Sequence, residues 1–281
     1  MALTLGQSSS SVYKSIQYLN STRSQIDKVQ LRLSSGNKIV SPADDAGGLA
    51  VAMKLQHQLT TTNAMVSNVE NAKSFAEMQH STLESASSII SEMESLKIKY
   101  DNATGDATEQ AIYQASFVEL LSQVKSITAE TINGEPLFNN RTSVYTSSTG
   151  SFIVMEAISV GAGISSQAGF DSTKAVDFDV LDVGLSNANI SASLTTISGK
   201  LSNYQIQAAS DLSSLGFASD YLSNMATNIE AAHGRIMDVD IAEETVNLSK
   251  LNLQHEAALA AIVQANLAME SVLELLIARN D

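Results

Sequence analysis

Two apolar stripes of period seven, one at each end of the chain, limit most sharply what it can fold into. Near the start, Val12, Leu19, Ile26 and Leu33 recur every seventh residue. Near the finish, Ile241, Leu248, Leu251, Ala258, Ile262, Ala265, Met269, Val272 and Leu276 fit the two apolar positions of one heptad register. A helix with so narrow a seam packs along another helix rather than into a globular core. The two ends are also opposite in charge. Residues 1–40 hold Lys14, Arg23, Lys28, Arg32 and Lys38 against Asp27 alone, whereas residues 238–281 hold eight acidic residues against Lys250 and Arg279. The ends are therefore predicted to lie against each other, a pattern that serves assembly rather than chemistry.

The rest of the chain favours long helices. Proline occurs only at Pro42 and Pro136, and tryptophan is absent, so little interrupts a helix and little builds an aromatic α/β core. A net charge of −14 argues against nucleic acid and against an anionic membrane as partners, because both demand clustered Lys and Arg. The lack of cysteine removes disulfides, thiolate catalysis and cysteine-ligated metals. No run approaches the ~20 apolar residues of a membrane span; the best, residues 257–263, has seven. The first residues lack the basic start and apolar stretch of a secretory signal, so if the protein leaves the cell, it is expected to leave by a route that reads no such signal.

Along the chain, the small polar residues 1–11 are expected to stay disordered until partnered. A first helix should run over about residues 12–34 and stop at Ser35-Gly36-Asn37, where Gly and Asn tolerate the left-handed conformation. Ser41 then reads as an N-cap with Pro42 at the first helical position and Asp44 and Asp45 in the first turn. Gly47-Gly48 allows a bend or a close backbone approach. Helical spacing holds from Leu49 to Tyr100. After a turn at residues 102–106 it resumes through Phe117, Leu121 and Val124 to about Thr131, ended by Asn133-Gly134-Glu135-Pro136. Residues 143–155 read as a β-hairpin about Ser147-Ser148-Thr149-Gly150. Val176, Phe178, Val180 and Leu181 suggest further short strands or extended loop. From Leu194 to Ile236, twelve of thirteen heptad positions are apolar or aromatic, with Asp211 the exception. Such a helix is about 65 Å long at ~1.5 Å per residue.

Catalytic and metal chemistry finds little support. His255-Glu256 resembles the start of the zinc-protease motif, but position 259 is Leu, and His255 falls on the heptad seam. His57 and His80 are too far apart on one helix to share a metal. No phosphate-cradling glycine loop and no nucleophile elbow occurs. The expectation is a chain that is not an enzyme and binds no metal or cofactor.

With these features in view, the sequence resembles the bacterial flagellins. Arg32-Leu33-Ser34-Ser35-Gly36 followed by Ser41-Pro42-Ala43-Asp44-Asp45-Ala46-Gly47-Gly48 is similar to their N-terminal signature. Arg235-Ile236-Met237-Asp238-Val239-Asp240, Gln264-Ala265-Asn266 and Val272-Leu-Glu-Leu-Leu276 are similar to their C-terminal one. Ile132-Asn133-Gly134-Glu135-Pro136-Leu137-Phe138 resembles the family segment between helices and hairpin. Only about fifty residues separate Phe138 from Asn189, so the chain looks like a minimal form without large outer domains.

The resemblance implies a mainly α fold: a long antiparallel helical bundle or coiled coil with a small β-hairpin region, whose terminal helices pair with each other. Residues 1–44 and 238–281 would be the two halves of an inner-core domain. Residues 45–185 would form outer-tube helices plus hairpin, and residues 186–237 the returning long helix. The implied role is a subunit that polymerises into the bacterial flagellar filament for motility. Candidate assembly residues are Val12, Ile16, Leu19, Ile26, Leu33, Asp44, Asp45, Leu248, Leu251, Ile262, Met269, Val272 and Leu276. Implied partners are further copies of the chain, the flagellar export apparatus, an export chaperone masking the C-terminal helix, and hook-associated and cap proteins. The implied location is the extracellular filament, reached without a cleavable signal peptide. A hook–filament junction protein is the nearest alternative, and an intracellular coiled-coil scaffold a more distant one.

Overall fold

The computed structural model describes residues 2–132, 134–147, 150–161 and 175–277; the side chains of residues 2–12, 269 and 272–277 lie outside that description. Among the described residues five α-helices occur: α1 Ala2–Ser35, α2 Ala46–Asn102, α3 Ala107–Thr128, α4 Ile190–Met237 and α5 Ile241–Ile277. Between α3 and α4 lie short strands, β1 Thr131–Ile132, β2 Glu135–Pro136, β3 Thr142–Tyr145, β4 Phe152–Met155, β5 Val160–Gly161 and β6 Val176–Asp177, then a 3-10 turn at Phe178–Leu181. The fold is mainly α, with small strand pairs. No helix among the described residues is long and apolar enough to cross a membrane.

The chain divides into two compact units, residues 1–58 with 228–281, and residues 59–227. In the second unit the apolar periodicity becomes a continuous core. Leu83, Ala86, Ile90 and Met93 of α2, Phe117 and Val124 of α3, and Leu194, Leu201 and Ala208 of α4 are all buried in one cluster. The α4 heptad positions behave as their spacing predicts until Met225, which is 36% exposed. Gln205 donates to the Leu83 carbonyl at 3.2 Å, and Ser219 bonds Glu70. Rising numbers on one helix therefore meet falling numbers on the other, so α2 and α4 run antiparallel.

The strand region closes this core. β1 and β2 form a two-residue-strand hairpin whose following residues, Leu137 and Phe138, are fully buried. α3 therefore ends at Thr128, three residues before the expected stop, because Thr131 and Ile132 pair with Pro136 and Glu135 instead. β3 and β4 pair antiparallel, with Val144 opposite Ile153 and Tyr145 opposite Phe152. Alternation sends Val144 and Met155 into a second cluster with Val69, Ala76, Leu215 and Leu222. Tyr145 and Phe152 stay exposed and stack edge to face. The hairpin thus forms where the sequence suggested; Ser148 and Thr149 at its tip lie outside the described residues.

In the first unit α1 lies along α5. Arg32 of α1 reaches Glu244 of α5, and Asn37 bridges Asp238, so the pair is antiparallel and joined near the end of α1. Helix α1 starts at Ala2 rather than near Val12. Residues 2–11 contain no proline, and with α5 alongside the helix propagates through them, each added residue fixing one more backbone bond. It stops as predicted: Gly36 takes a φ of 72° and donates to the Arg32 carbonyl at 2.9 Å, the left-handed C-terminal cap.

Candidate assembly surface

The Ser41–Asp45 segment turns the chain from α1 into α2, by a different device from the expected one. Asp44 N–H donates to the Ser41 carbonyl at 2.9 Å, so Pro42 is the second residue of a β-turn and not the first of a helix. Asp45 is the N-cap of α2: its Oδ1 accepts from Gly48 N–H at 2.8 Å, and its carbonyl accepts from Leu49 N–H at 3.0 Å. Asp44 stands before the helix. Lys28 Nζ meets its Oδ1 at 2.5 Å, and Oδ2 accepts from the backbone of Val40 and Ser41 at 3.3 Å each. Two potential N-caps compete here, and Asp45 wins because Asp44 is committed to α1. The Lys28 bond, helped by the two backbone donors and outweighing partial burial, holds the Asp44 carboxyl below its usual range.

Gly48 answers the expectation of a close approach. A Cβ there would lie 2.9 Å from Ile39 Cδ1 and collide with the Asp45 carboxylate. Ile39 is itself buried, so any larger residue would separate the α1–α2 connection from the start of α2. Helix α5 is capped in the same way, by Asp240 accepting from Ala242 and Glu243 N–H at 2.9 and 3.1 Å.

The α1–α5 seam is only partly covered. Leu19, Ile26, Leu33, Leu248 and Ile262 are half-buried, Leu251 is buried, and Ile16 is exposed. Val12, Met269, Val272 and Leu276 lie on the two helices, but their side chains are outside the described residues. Ile241, expected in the seam, is 60% exposed. It opens α5 at the level where α1 has just ended, so no helix turn stands opposite to cover it.

Burial in this unit concentrates near the joined end, at Val29, Ile39, Ala52, Ile229 and Leu251. Farther along, no described side chain of the pair is buried, because two helices cover only one face of each other.

A second apolar set escaped the seam-based reading. Tyr13 is 73% exposed, Tyr18 71%, Val246 70%, Leu253 67%, Val263 57% and Leu267 54%. On α5, Val246, Leu253, Ala260 and Leu267 recur every seven residues on the side away from the seam. That periodicity was the signal available in the sequence. Uncovered apolar side chains at this density make the pair a candidate interaction surface.

Charge across the pair is equally unspent. Among the described residues, Arg32–Glu244 at 3.3 Å is the single ion pair between α1 and α5. The opposite charges of the two ends therefore do not hold the pair together as a ladder.

The bacterial flagellin N-terminal helical region matches residues 9–143, and the bacterial flagellin C-terminal helical region matches residues 210–276. The chain belongs to the bacterial flagellin family. This flagellin is 28% identical to the flagellar filament 33 kDa core protein of Treponema phagedenis, over 92% of this chain and 94% of that one. It is 27% identical to the flagellin of Halalkalibacterium halodurans, over 90% and 92%. The crystal structure of Bacillus cereus flagellin superposes with a TM-score of 0.46 at 20% identity, over 59% of this chain and 94% of that one. This flagellin is a structural subunit of the bacterial flagellar filament.

Proposed function

We infer that the α1–α5 pair is the inner, filament-forming part of this flagellin and that residues 59–227 make the outer wall. The observation that carries this reading is the uncovered apolar surface of the pair: Tyr13, Tyr18, Val246, Leu253, Val263 and Leu267 are exposed in the single chain, and other copies packed on α1 and α5 would cover them. The outer unit, by contrast, buries a continuous core of its own, although Ile206, Phe217 and Tyr221 on α4 stay exposed. Assembly residues in this account are Val12, Ile16, Leu19, Ile26, Leu33, Leu248, Leu251, Ile262, Met269, Val272 and Leu276. Asp44 and Asp45 act through the turn that joins α1 to α2.

Export follows the same logic. A chain without cysteine or an apolar span fits unfolded passage through the flagellar type III apparatus to the cell exterior. A chaperone would mask the apolar faces of α5 before export, and hook-associated and cap proteins would meet the filament ends.

Limited proteolysis tests the inner assignment. The pair alone buries too little to offset its ordering entropy, so protease should trim the monomer to about residues 45–235 and leave filaments intact. Ends equally resistant in both forms would contradict it.

A further inference from the structure

The charges left unpaired on α1 and α5 have a matching arrangement. On α1, Lys14, Ser21 and Lys28 stand seven residues apart, hence on one face. On α5, Glu256, Val263 and Glu270 do the same. Both charge pairs are thus two heptads apart, about 21 Å at 1.5 Å per residue. Lys14, Glu256 and Glu270 are exposed and have no ion-pair partner among the described residues. Lys28 holds Asp44 but is 49% exposed along its side chain, and an ammonium with three donors accommodates a second carboxylate.

These pairs do not meet within one chain. Arg32 with Glu244 and Asn37 with Asp238 set the register of the antiparallel pair. That register places Lys14 level with Ile262, eight residues short of Glu270, or about 12 Å along the axis. For these lysines to meet these glutamates, the α1 must come from another chain.

We propose that the Lys14–Lys28 face of α1 docks antiparallel on the Glu256–Glu270 face of α5 in a second copy of this chain, Lys14 against Glu270 and Lys28 against Glu256. The occupant is a second copy because the complementary pattern is the chain's own. The contact is head-to-tail, joining two different faces, and such contacts propagate into polymers rather than closing into dimers. Between the charges, Ser21 comes opposite Val263, which is 57% exposed, so a small side chain leaves room for a larger one. Co-directional subunits supply the geometry: where all copies point the same way, each α1 runs antiparallel to every neighbouring α5.

This inference rests on the inner placement of the pair. Its test is charge exchange on the full-length protein, read as the critical concentration for pelletable polymer after seeding, with wild-type polymerisation as the control for that placement. Lys14→Glu alone and Glu270→Lys alone each set like charges together, and each should raise the critical concentration about ten-fold. An equimolar mixture of the two variants restores opposite charges at alternating contacts and should polymerise near the wild-type concentration. So should the double variant alone. Both sites are exposed, so monomer helicity should be unchanged. Single variants that polymerise like wild type, or a mixture no better than its components, would overturn the proposal while leaving wild-type assembly intact.

Discussion

Asp44 and Asp211 are both partly covered carboxylates, and their neighbours push them in opposite directions. Asp44 is held below its usual range, chiefly by Lys28. Its contribution is fully present above the ordinary carboxyl value of about 3.9 and is lost as pH falls through the folded value. Asp211, the polar member of the α4 heptad series, is raised by burial first and by the charge of Glu156 second. Folding favours its protonated form, so that benefit is present at low pH and lost as pH rises through the folded value. Asp211→Asn should therefore melt at a higher temperature than wild type at pH 7, and the gap should close below about pH 3.9. Thermal scans at pH 7 and pH 3 measure it; a variant less stable at pH 7 would show that the ionised Asp211 is well solvated. Asp44→Asn should show the reverse sign, with a loss at pH 7 that fades in acid.

Among the elements, α5 concentrates the assembly argument. Leu251 is 5% exposed, and Leu248 and Ile262 are half-buried. Truncating a buried leucine to alanine costs roughly 2–5 kcal/mol in a packed core, and a carboxylate there adds the penalty of an unpaired charge. Leu248→Asp, Ile262→Asp and Leu276→Asp should each give protein that stays in the supernatant when wild type pellets; normal sedimentation would show that the seam is not an assembly contact. The helices themselves were legible because apolar periodicity is local to each segment: every α4 seam residue from Leu194 to Ala208 is buried as its spacing predicts. Two details were not. The N-cap of α2 is Asp45 rather than Ser41, because Ser41 opens a β-turn and Lys28, sixteen residues away in sequence, holds Asp44. The exposed stripe of α5 was overlooked because fitting one seam discards residues such as Val246 and Leu253 that repeat off it. The candidate site was thus half visible: its seam, but not its outward face.

For the whole molecule, the inner and outer assignment separates places that tolerate change from places that do not. The loop from Thr146 to Ser151 joins two strands and is tied by Thr146 N–H to the Ser151 carbonyl at 2.9 Å, and loop tips of this kind accept insertions. A short polar insertion between Ser148 and Gly150 should leave polymerisation intact. The same insertion between Asp44 and Asp45 should abolish it, because it parts the Lys28 ion pair from the α2 cap; equal tolerance at both sites would mean the two surfaces are assigned wrongly. On this assignment the chain polymerises through its own paired termini. Electron microscopy of the purified protein, seeded with sheared filaments of the same chain, tests that most directly. Full-length protein should elongate the seeds into long filaments while the 45–235 fragment adds nothing to them. Seeds that the full chain fails to extend, or that the fragment extends equally well, would contradict it.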